Sequence, residues 1–180
     1  MTDAMICEAA RPAVPVDQFR QALGQLAAGV SIIATALDGD CRGVTATAVC
    51  SVTDTPGTVL VCVNRNTGTG KMIAETGRFS INVLGAQQEE IAKVFAGMAG
   101  LSGADRFAHG QWDIAPETGL PCLREALVNL ECRVSHMHAV GSHDVFFGDV
   151  FSVRRHEARP LIYFARGFHE TAAIAGAITG

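Results

Sequence analysis

Short apolar segments separated by turn residues dominate the chain, and most of them show the two-residue period of β-strands. In residues 127–134 apolar side chains alternate with Asn129, Glu131 and Arg133, which we expect to face solvent. Residues 58–63 form a continuous apolar run, so we expect that strand to be buried on both faces. The predicted strands are residues 30–36, 43–49, 58–63, 79–84, 127–134, 144–153 (with a bulge at Gly148) and 161–165.

Helical spacing is confined to a few segments. One helix is predicted to begin at Asp17, which can act as its N-cap, and to carry apolar side chains on one face from Phe19 towards Val30. The other predicted helices are a short one around residues 70–75, a longer one at residues 86–98 and a weak one from His169 onward.

The order of these elements predicts a mainly β fold with flanking helices. Strands that follow one another directly favour an antiparallel β-barrel with helices packed outside it. A chain of 180 residues fits one domain. We assign residues 17–170 to that domain, residues 1–16 to a loose N-terminal arm, and residues 171–180 to a C-terminal tail or short helix.

Composition and charge exclude several classes of protein. The chain has 14 basic and 18 acidic residues, and this mildly acidic balance argues against nucleic-acid binding. Residues 21–37, the longest uncharged window, are too few and too polar to span a membrane. The first residues are acidic where a signal peptide would be basic, so we expect a cytoplasmic protein.

The cysteines and histidines do not form a recognisable metal-binding pattern. Most of the six cysteines are expected to be small buried thiols. His136 and His138 would share one face of a strand, but no third ligand lies near them, so we expect no metal site. His143 follows a glycine at a strand start, and such a lone histidine is more often structural or solvated than functional.

Two glycine-containing segments are candidates for ligand binding. Residues 43–51 combine small side chains with hydroxyl and thiol groups; they either let a flat ligand approach the backbone or fill a tight barrel corner. Residues 64–71 join a predicted strand to a predicted helix, which is the arrangement that binds phosphate groups. This loop is not a P-loop, because Arg65 replaces its first glycine and Met72 follows Lys71.

Taken in order, residues 43–56, 59–64, 79–84, 127–132 and 141–143 resemble the short-chain flavin reductases of two-component monooxygenases. The resemblance implies a split β-barrel homodimer that binds FMN, or FAD, and takes a hydride from NADH, or NADPH. It also implies that reduced flavin diffuses to a separate monooxygenase, with no nucleic acid or membrane involved. The alternatives are a flavin carrier or sensor on the same barrel, and a structural dimer without a ligand.

The resemblance also implies a set of site residues. Residues 45–48 would contact the isoalloxazine edge and ribityl chain, residues 63–67 the phosphate side, and residues 82–84 the ring pocket. His143 would position the nicotinamide, and no obligatory side-chain acid or base is expected. The flavin-binding residues implied in this way are Thr45, Ala46, Thr47, Ala48, Ser51, Val63, Asn64, Arg65, Thr67, Asn82, Val83, Leu84, Gln87 and Phe168.

Overall fold

The computed structural model describes residues 13–171 and confirms a mainly β fold with helices. The helices are α1 (Val16–Leu23), α2 (Gly68–Thr76) and α3 (Glu89–Phe95), with 3-10 turns at Ala86–Gln88 and Gly103–Ala108. The strands are β1 (Ala28–Gly29), β2 (Ser31–Leu37), β3 (Asp40–Ala46), β4 (Val49–Asp54), β5 (Gly57–Asn64), β6 (Arg78–Val83), β7 (Trp112–Ile114), β8 (Pro121–Leu123), β9 (Val128–Val140), β10 (His143–Arg155), β11 (Leu161–Phe164) and β12 (Gly167–Glu170).

The main sheet has seven antiparallel strands in the order β3-β2-β6-β9-β10-β5-β4. Its two edge strands follow each other in the chain and are joined only by Thr47 and Ala48. In a flat sheet they would lie about 29 Å apart, at about 4.8 Å per strand, whereas this link spans at most about 11 Å. The sheet therefore curls until its edges approach, although β3 and β4 do not pair and the curl stays open.

Two smaller sheets complete the fold. β11 pairs with β1 and β12, and β7 pairs with β8. The weak helix predicted from His169 is wrong at its start, because His169 and Glu170 pair with β11 as part of β12. Residues 172–180 and residues 1–12, which include most of the predicted arm, lie outside the described residues.

β2 is buried on both faces and divides the core in two. Ile32 and Ala34 pack with Phe95 of α3 on one face, whereas Ile33 packs with Phe79 on the other. The two-faced burial predicted for residues 58–63 is wrong, because exposure alternates along β5. β5 is the penultimate strand, and only one of its faces meets the core.

Polar residues of β9 are buried against prediction. Asn129 and Glu131 are 3% and 7% exposed, because the loop and strand around β8 cover this face. Asn129 donates to the Leu123 carbonyl, and Glu131 accepts from the Thr118 hydroxyl. Arg133, beyond the covered part, is exposed as predicted.

Helix and strand boundaries differ from prediction where glycine or capping contacts intervene. α1 begins after Pro15 and ends at Leu23, short of the predicted Val30. The predicted helix 86–98 begins as a 3-10 turn and ends before Gly97, whose φ is +84°, so Met98 is exposed.

The predicted strand 43–49 stops at Ala46, and a separate strand, β4, follows it. The predicted irregularity at Gly148 is confirmed as a register shift, in which the extra residue is Ser135 of β9.

Candidate functional site

Three neighbouring cavities lie along β3 and the Thr47–Ala48 link. The central cavity, about 340 Å³, is lined by Val44, Thr45, Ala46, Thr47, Ala48, Cys62, Val63, Asn64 and His143. The loop cavity, about 510 Å³, is lined by Arg42, Gly43, Val44, Thr67, Gly68, Thr69, Ser102, Gly103 and Arg106. The hairpin cavity, about 600 Å³, is lined by Val30, Thr45, Ala46, Thr47, Glu89, Lys93, Ala96, Met98, Tyr163, Arg166, Gly167 and Phe168.

The wall shared by these cavities is made of small residues at the open edge of the sheet. Thr45 is committed to the fold, since its hydroxyl donates to the Ala92 carbonyl of α3 at 2.6 Å. Thr47 and Ala48 are exposed, and within residues 13–171 their N–H groups have no acceptor. The link therefore presents two free donors beside a cavity.

The loop between β5 and α2 has the predicted strand–loop–helix arrangement. Thr67 caps α2, because its hydroxyl accepts from the Gly70 N–H at 3.0 Å and donates to the Asn64 carbonyl at 2.7 Å. Gly70 must lack a side chain, since a Cβ there would lie 2.6 Å from the Asn64 carbonyl oxygen. The first turn of α2 then faces the loop cavity with unpaired N–H groups.

Two arginines that sequence analysis did not single out line the same loop cavity. Arg106 donates to the carbonyls of Gly43, Phe95 and Leu101, and so ties the Gly103–Ala108 turn to β3. Arg42 pairs with Asp40 at 2.6 Å. With the α2 N-terminus, these guanidinium groups make the loop cavity the electropositive end of the groove.

His143 faces the central cavity from the start of β10. Its side chain is exposed, and its Nδ1 lies 2.9 Å from the Ser142 hydroxyl. The next residue, Asp144, is buried and pairs with Arg65. The arrangement leaves Nε2 as the ring nitrogen without a partner in the described chain.

The structure does not bring Asn82, Val83 and Leu84 to these cavities. Asn82 has no exposed surface: it donates to the Ile32 carbonyl and the Ser80 hydroxyl, and accepts from the Leu123 N–H and Asn129. Leu84 is a core residue, and its backbone bonds to Val30 and Leu161. Val83 packs against the core from a strand paired on both sides.

The remaining predicted residues fall in different places. Phe168 lines the hairpin cavity and packs on Tyr163, with ring centroids 5.2 Å apart. Gln87 lines a separate cavity of about 480 Å³. Ser51 is exposed on β4 and lines none of the three cavities, and Arg65 turns towards β10 instead of the loop cavity.

The hairpin cavity also contains cations that the sequence did not reveal. Lys93 bonds to Glu90 and Glu89, and these hydrogen bonds raise its pKa to about 12. Arg166 is held at the cavity by a tight turn in which Ala165 and Arg166 both have positive φ. The only sequence signal for this turn is the glycine that follows it.

The other sequence candidates do not join the groove. His136 and His138 lie on one face of β9, as predicted, and pack edge-on against Phe147. Of the five cysteines in the described chain, only Cys122 and Cys132 are buried, while Cys50 is exposed. Across residues 13–171 no three metal-ligating side chains cluster, and no helix is long and apolar enough to cross a membrane.

The groove fits a flat ligand with an anionic tail. Its central wall is small and largely apolar, Thr47 and Ala48 offer donors to a polar ring edge, and the loop cavity can receive a phosphate. Flavin mononucleotide has this shape and charge. Fold and site together define a curled β-sheet protein with an open groove whose shape and charge suit a nucleotide.

Comparison with known proteins is consistent with that class. Residues 23–172 match the model of the flavin reductase like domain family. FMN reductase (NADH) RutF of Pseudomonas syringae is 43% identical over 152 residues, covering 84% of each chain. The 4-hydroxyphenylacetate 3-monooxygenase reductase component of Salmonella typhi is 42% identical over 153 residues, covering 84% of this chain and 89% of its own.

A solved structure extends the likeness to the fold. NADH:FAD oxidoreductase SgcE6 of Streptomyces globisporus, in complex with NAD and FAD fragments, superposes with a TM-score of 0.82 at 29% identity. The match covers 93% of this chain and all of that one. The chain belongs to the flavin reductase like domain family.

Proposed function

We propose that this protein transfers a hydride from NADH to FMN and releases reduced flavin to a separate monooxygenase component. One observation carries the proposal: His143 faces the unpaired N–H groups of Thr47 and Ala48 across a single cavity. A flavin reductase needs two such elements, one to hold the flavin ring and one to hold the nicotinamide over it. FAD is the alternative to FMN as the flavin substrate, and NADPH is the alternative to NADH as the hydride donor.

The shape and charge of the groove support the following assignment of flavin-binding residues. Ala46 and Ala48 leave room for the ring, and the N–H groups of Thr47 and Ala48 donate to its polar edge. The first turn of α2, with Thr67, receives the phosphate, supported by Arg42 and Arg106. Phe168 closes the opposite side from β12.

The residues of this chain act by orientation and charge. Bound flavin supplies the electrophilic ring that accepts the hydride. The free backbone donors at residues 47 and 48 stabilise negative charge that develops on the ring edge next to them. His143 positions the nicotinamide, and no side chain has to supply or remove a proton.

A second copy of the chain completes the proposed architecture, a split β-barrel homodimer. The exposed apolar residues of β4, β9 and β10 support it, because single chains rarely leave such a group in water. These residues are Val52, Met137, Val140, Phe151 and Val153. We place the protein in the cytoplasm, where free thiols such as those described here persist.

The test is an NADH oxidation assay with purified protein and FMN, FAD or riboflavin. We expect NADH absorbance to fall fastest with FMN, and His143→Ala to raise the KM for NADH about tenfold with little change in FMN affinity. His136→Ala, on the adjacent exposed strand, is the control. FMN binding without NADH oxidation would support the carrier alternative, and equal losses in both substrates would refute the role of His143.

A further inference from the structure

Arg65 holds three successive residues at the start of β10. Its backbone N–H donates to the Ser142 carbonyl at 3.1 Å, and its Nη2 donates to the His143 carbonyl at 3.0 Å. Its Nε and Nη2 both donate to Oδ1 of Asp144, at 3.1 and 2.8 Å. Asp144 is only 7% exposed, so the ion pair is anchored in the protein interior.

The segment that Arg65 holds lies at the N-terminal end of β10, where its pairing with β5 and β9 stops. His143 pairs with Asn64 at the last position of the β5–β10 ladder, and residues 135–143 at the tip of the β9–β10 hairpin are all exposed. Exposed hairpin ends open more readily than strands packed in a core. Bonds to residues 142, 143 and 144 therefore restrain the backbone from which the imidazole projects.

The same contacts set the direction of the imidazole ring. The Ser142 hydroxyl meets Nδ1 of His143 at 2.9 Å, and Arg65 fixes the Ser142 carbonyl as well as the His143 carbonyl. A hydroxyl can donate to Nδ1 or accept from it, so this bond orients the ring and leaves Nε2 free in either tautomer. The ring is thus oriented through Ser142, while the Arg65 side chain holds the His143 carbonyl. The bond to the Ser142 carbonyl comes from the main-chain N–H of residue 65, which a substitution of the side chain retains.

We propose that Arg65 is a positioning residue for His143, acting on the nicotinamide side of the groove and not on the flavin phosphate. This inference rests on the proposed function, in which His143 positions NADH. A phosphate ligand would point its guanidinium at the α2 N-terminus, whereas two of the three nitrogens of this guanidinium are bonded to β10. The two roles predict opposite kinetic results, since one affects NADH and the other FMN.

The test is a double-mutant cycle between Arg65 and His143 in the full-length protein. Arg65→Gln should raise the KM for NADH about fivefold and leave the Kd for FMN within twofold. Arg65→Lys keeps a positive charge beside Asp144 but loses the planar fork whose Nε and Nη2 both reach Asp144, so it should fold normally and show a smaller rise. In the His143→Ala background, either change should add less than twofold. Arg124→Gln, which breaks an exposed ion pair with Asp113, is the matched control and should change neither constant.

Each other outcome overturns the proposal. A rise in the FMN Kd larger than the rise in the NADH KM would make Arg65 a phosphate ligand. An undiminished effect in the His143→Ala background would show that it acts independently of His143. If His143→Ala alone left the NADH KM unchanged in an active enzyme, positioning would fail while the reductase assignment stood.

An activity-independent readout separates this proposal from the proposed function. In protein with ¹⁵N-labelled histidine, the His143 ring, identified by its loss in His143→Ala, should show nitrogen signals that differ from those of a free imidazole because Nδ1 is hydrogen-bonded. Arg65→Lys and Ser142→Ala should shift these signals towards those of a free imidazole. Unchanged signals would refute positioning, whereas absence of NADH oxidation by the native protein would refute only the reductase assignment.

Discussion

The polar clusters around Asn82 and around His143 are both built from hydrogen-bonded side chains on neighbouring strands, yet they differ in what they leave unpaired. Asn82 has no exposed surface, and its amide is bonded to groups of β2, β6, β8 and β9. His143 is exposed and keeps one ring nitrogen free beside a cavity. A side chain with all its hydrogen bonds inside the protein stabilises the fold, whereas one with a free group at a cavity is available to a ligand.

Among the proposed substitutions, Asn82→Ala should give the largest effect, which is a loss of folding stability. This substitution removes the side-chain oxygen that accepts from the Leu123 N–H and from the Asn129 amide. Each buried donor that loses this acceptor costs about 1–3 kcal/mol of folding stability. We expect the free energy of unfolding in urea to fall by about 4 kcal/mol, while the folded fraction keeps its FMN affinity. His143→Ala is the control, with a loss below about 0.5 kcal/mol. A small loss of stability with weakened FMN binding would instead place Asn82 in the flavin site.

Gly43→Ala should also act on stability, although Gly43 begins the segment of small residues. An added Cβ would lie 2.7 Å from Cε1 of Phe95, and Phe107 packs against the same ring. Overpacking of this kind costs about 2 kcal/mol, measurable as a lower urea midpoint. An unchanged midpoint would mean that the two rings can move aside.

Ala48→Leu should show the opposite behaviour from the other end of that segment. Ala48 is exposed and lines the central cavity, so a larger side chain occupies ligand space without disturbing the core. We expect FMN affinity to fall about tenfold, or about 1.4 kcal/mol, in a fluorescence titration. Ala74→Leu, on the exposed face of α2, is the control. If Ala48→Leu lowered the stability but left the FMN affinity unchanged, Ala48 would not belong to the flavin site.

Cys132 should give the smallest effect, which is a dependence of folding stability on pH. Burial raises the pKa of its thiol from 9.0 to about 12. Below pH 9 both states keep the proton; above it the unfolded chain loses the proton first, so stability falls as the pH rises. The buried thiol should lower the free energy of unfolding by about 0.8 kcal/mol at pH 9.5. Cys132→Val should therefore reduce the fall in stability above pH 9. Cys50→Ser, at an exposed thiol, should leave the profile unchanged.

These contrasts show which site residues the sequence could indicate. Residues 45–48, Val63, Asn64 and His143 share one cavity, as the family resemblance implies, because they flank the strand ends that form it. Asn82 lies in an alternating strand, and the sequence does not show that β8 covers that face. The family resemblance implies that Arg65 lies on the phosphate side, and the sequence does not show that its guanidinium pairs with Asp144, which is 79 residues away.

The elements of the fold were predicted correctly where the signal came from residues close together in the sequence. Short apolar segments located β2, β5, β6, β9 and β10, and Asp38 and Gly39, between β2 and β3, have the positive φ values expected of such a pair in a tight turn. The three-residue strands β7 and β8 are too short for a period to show. β4 was missed because it is an edge strand in which no residue is buried.

The sequence by itself determined most strands of the main sheet, the strand–loop–helix arrangement at residues 64–71 and the small residues of the groove, because each depends on neighbours in the chain. Only the tertiary structure decided that the sheet curls until β3 and β4 approach, and that the Arg65 guanidinium bonds to the His143 carbonyl and to Asp144. It also divided the small and polar residues between core and groove. The physical reason is that burial and hydrogen-bond partners come from residues far apart in sequence, and these decide whether a polar group is already satisfied or remains free for a ligand.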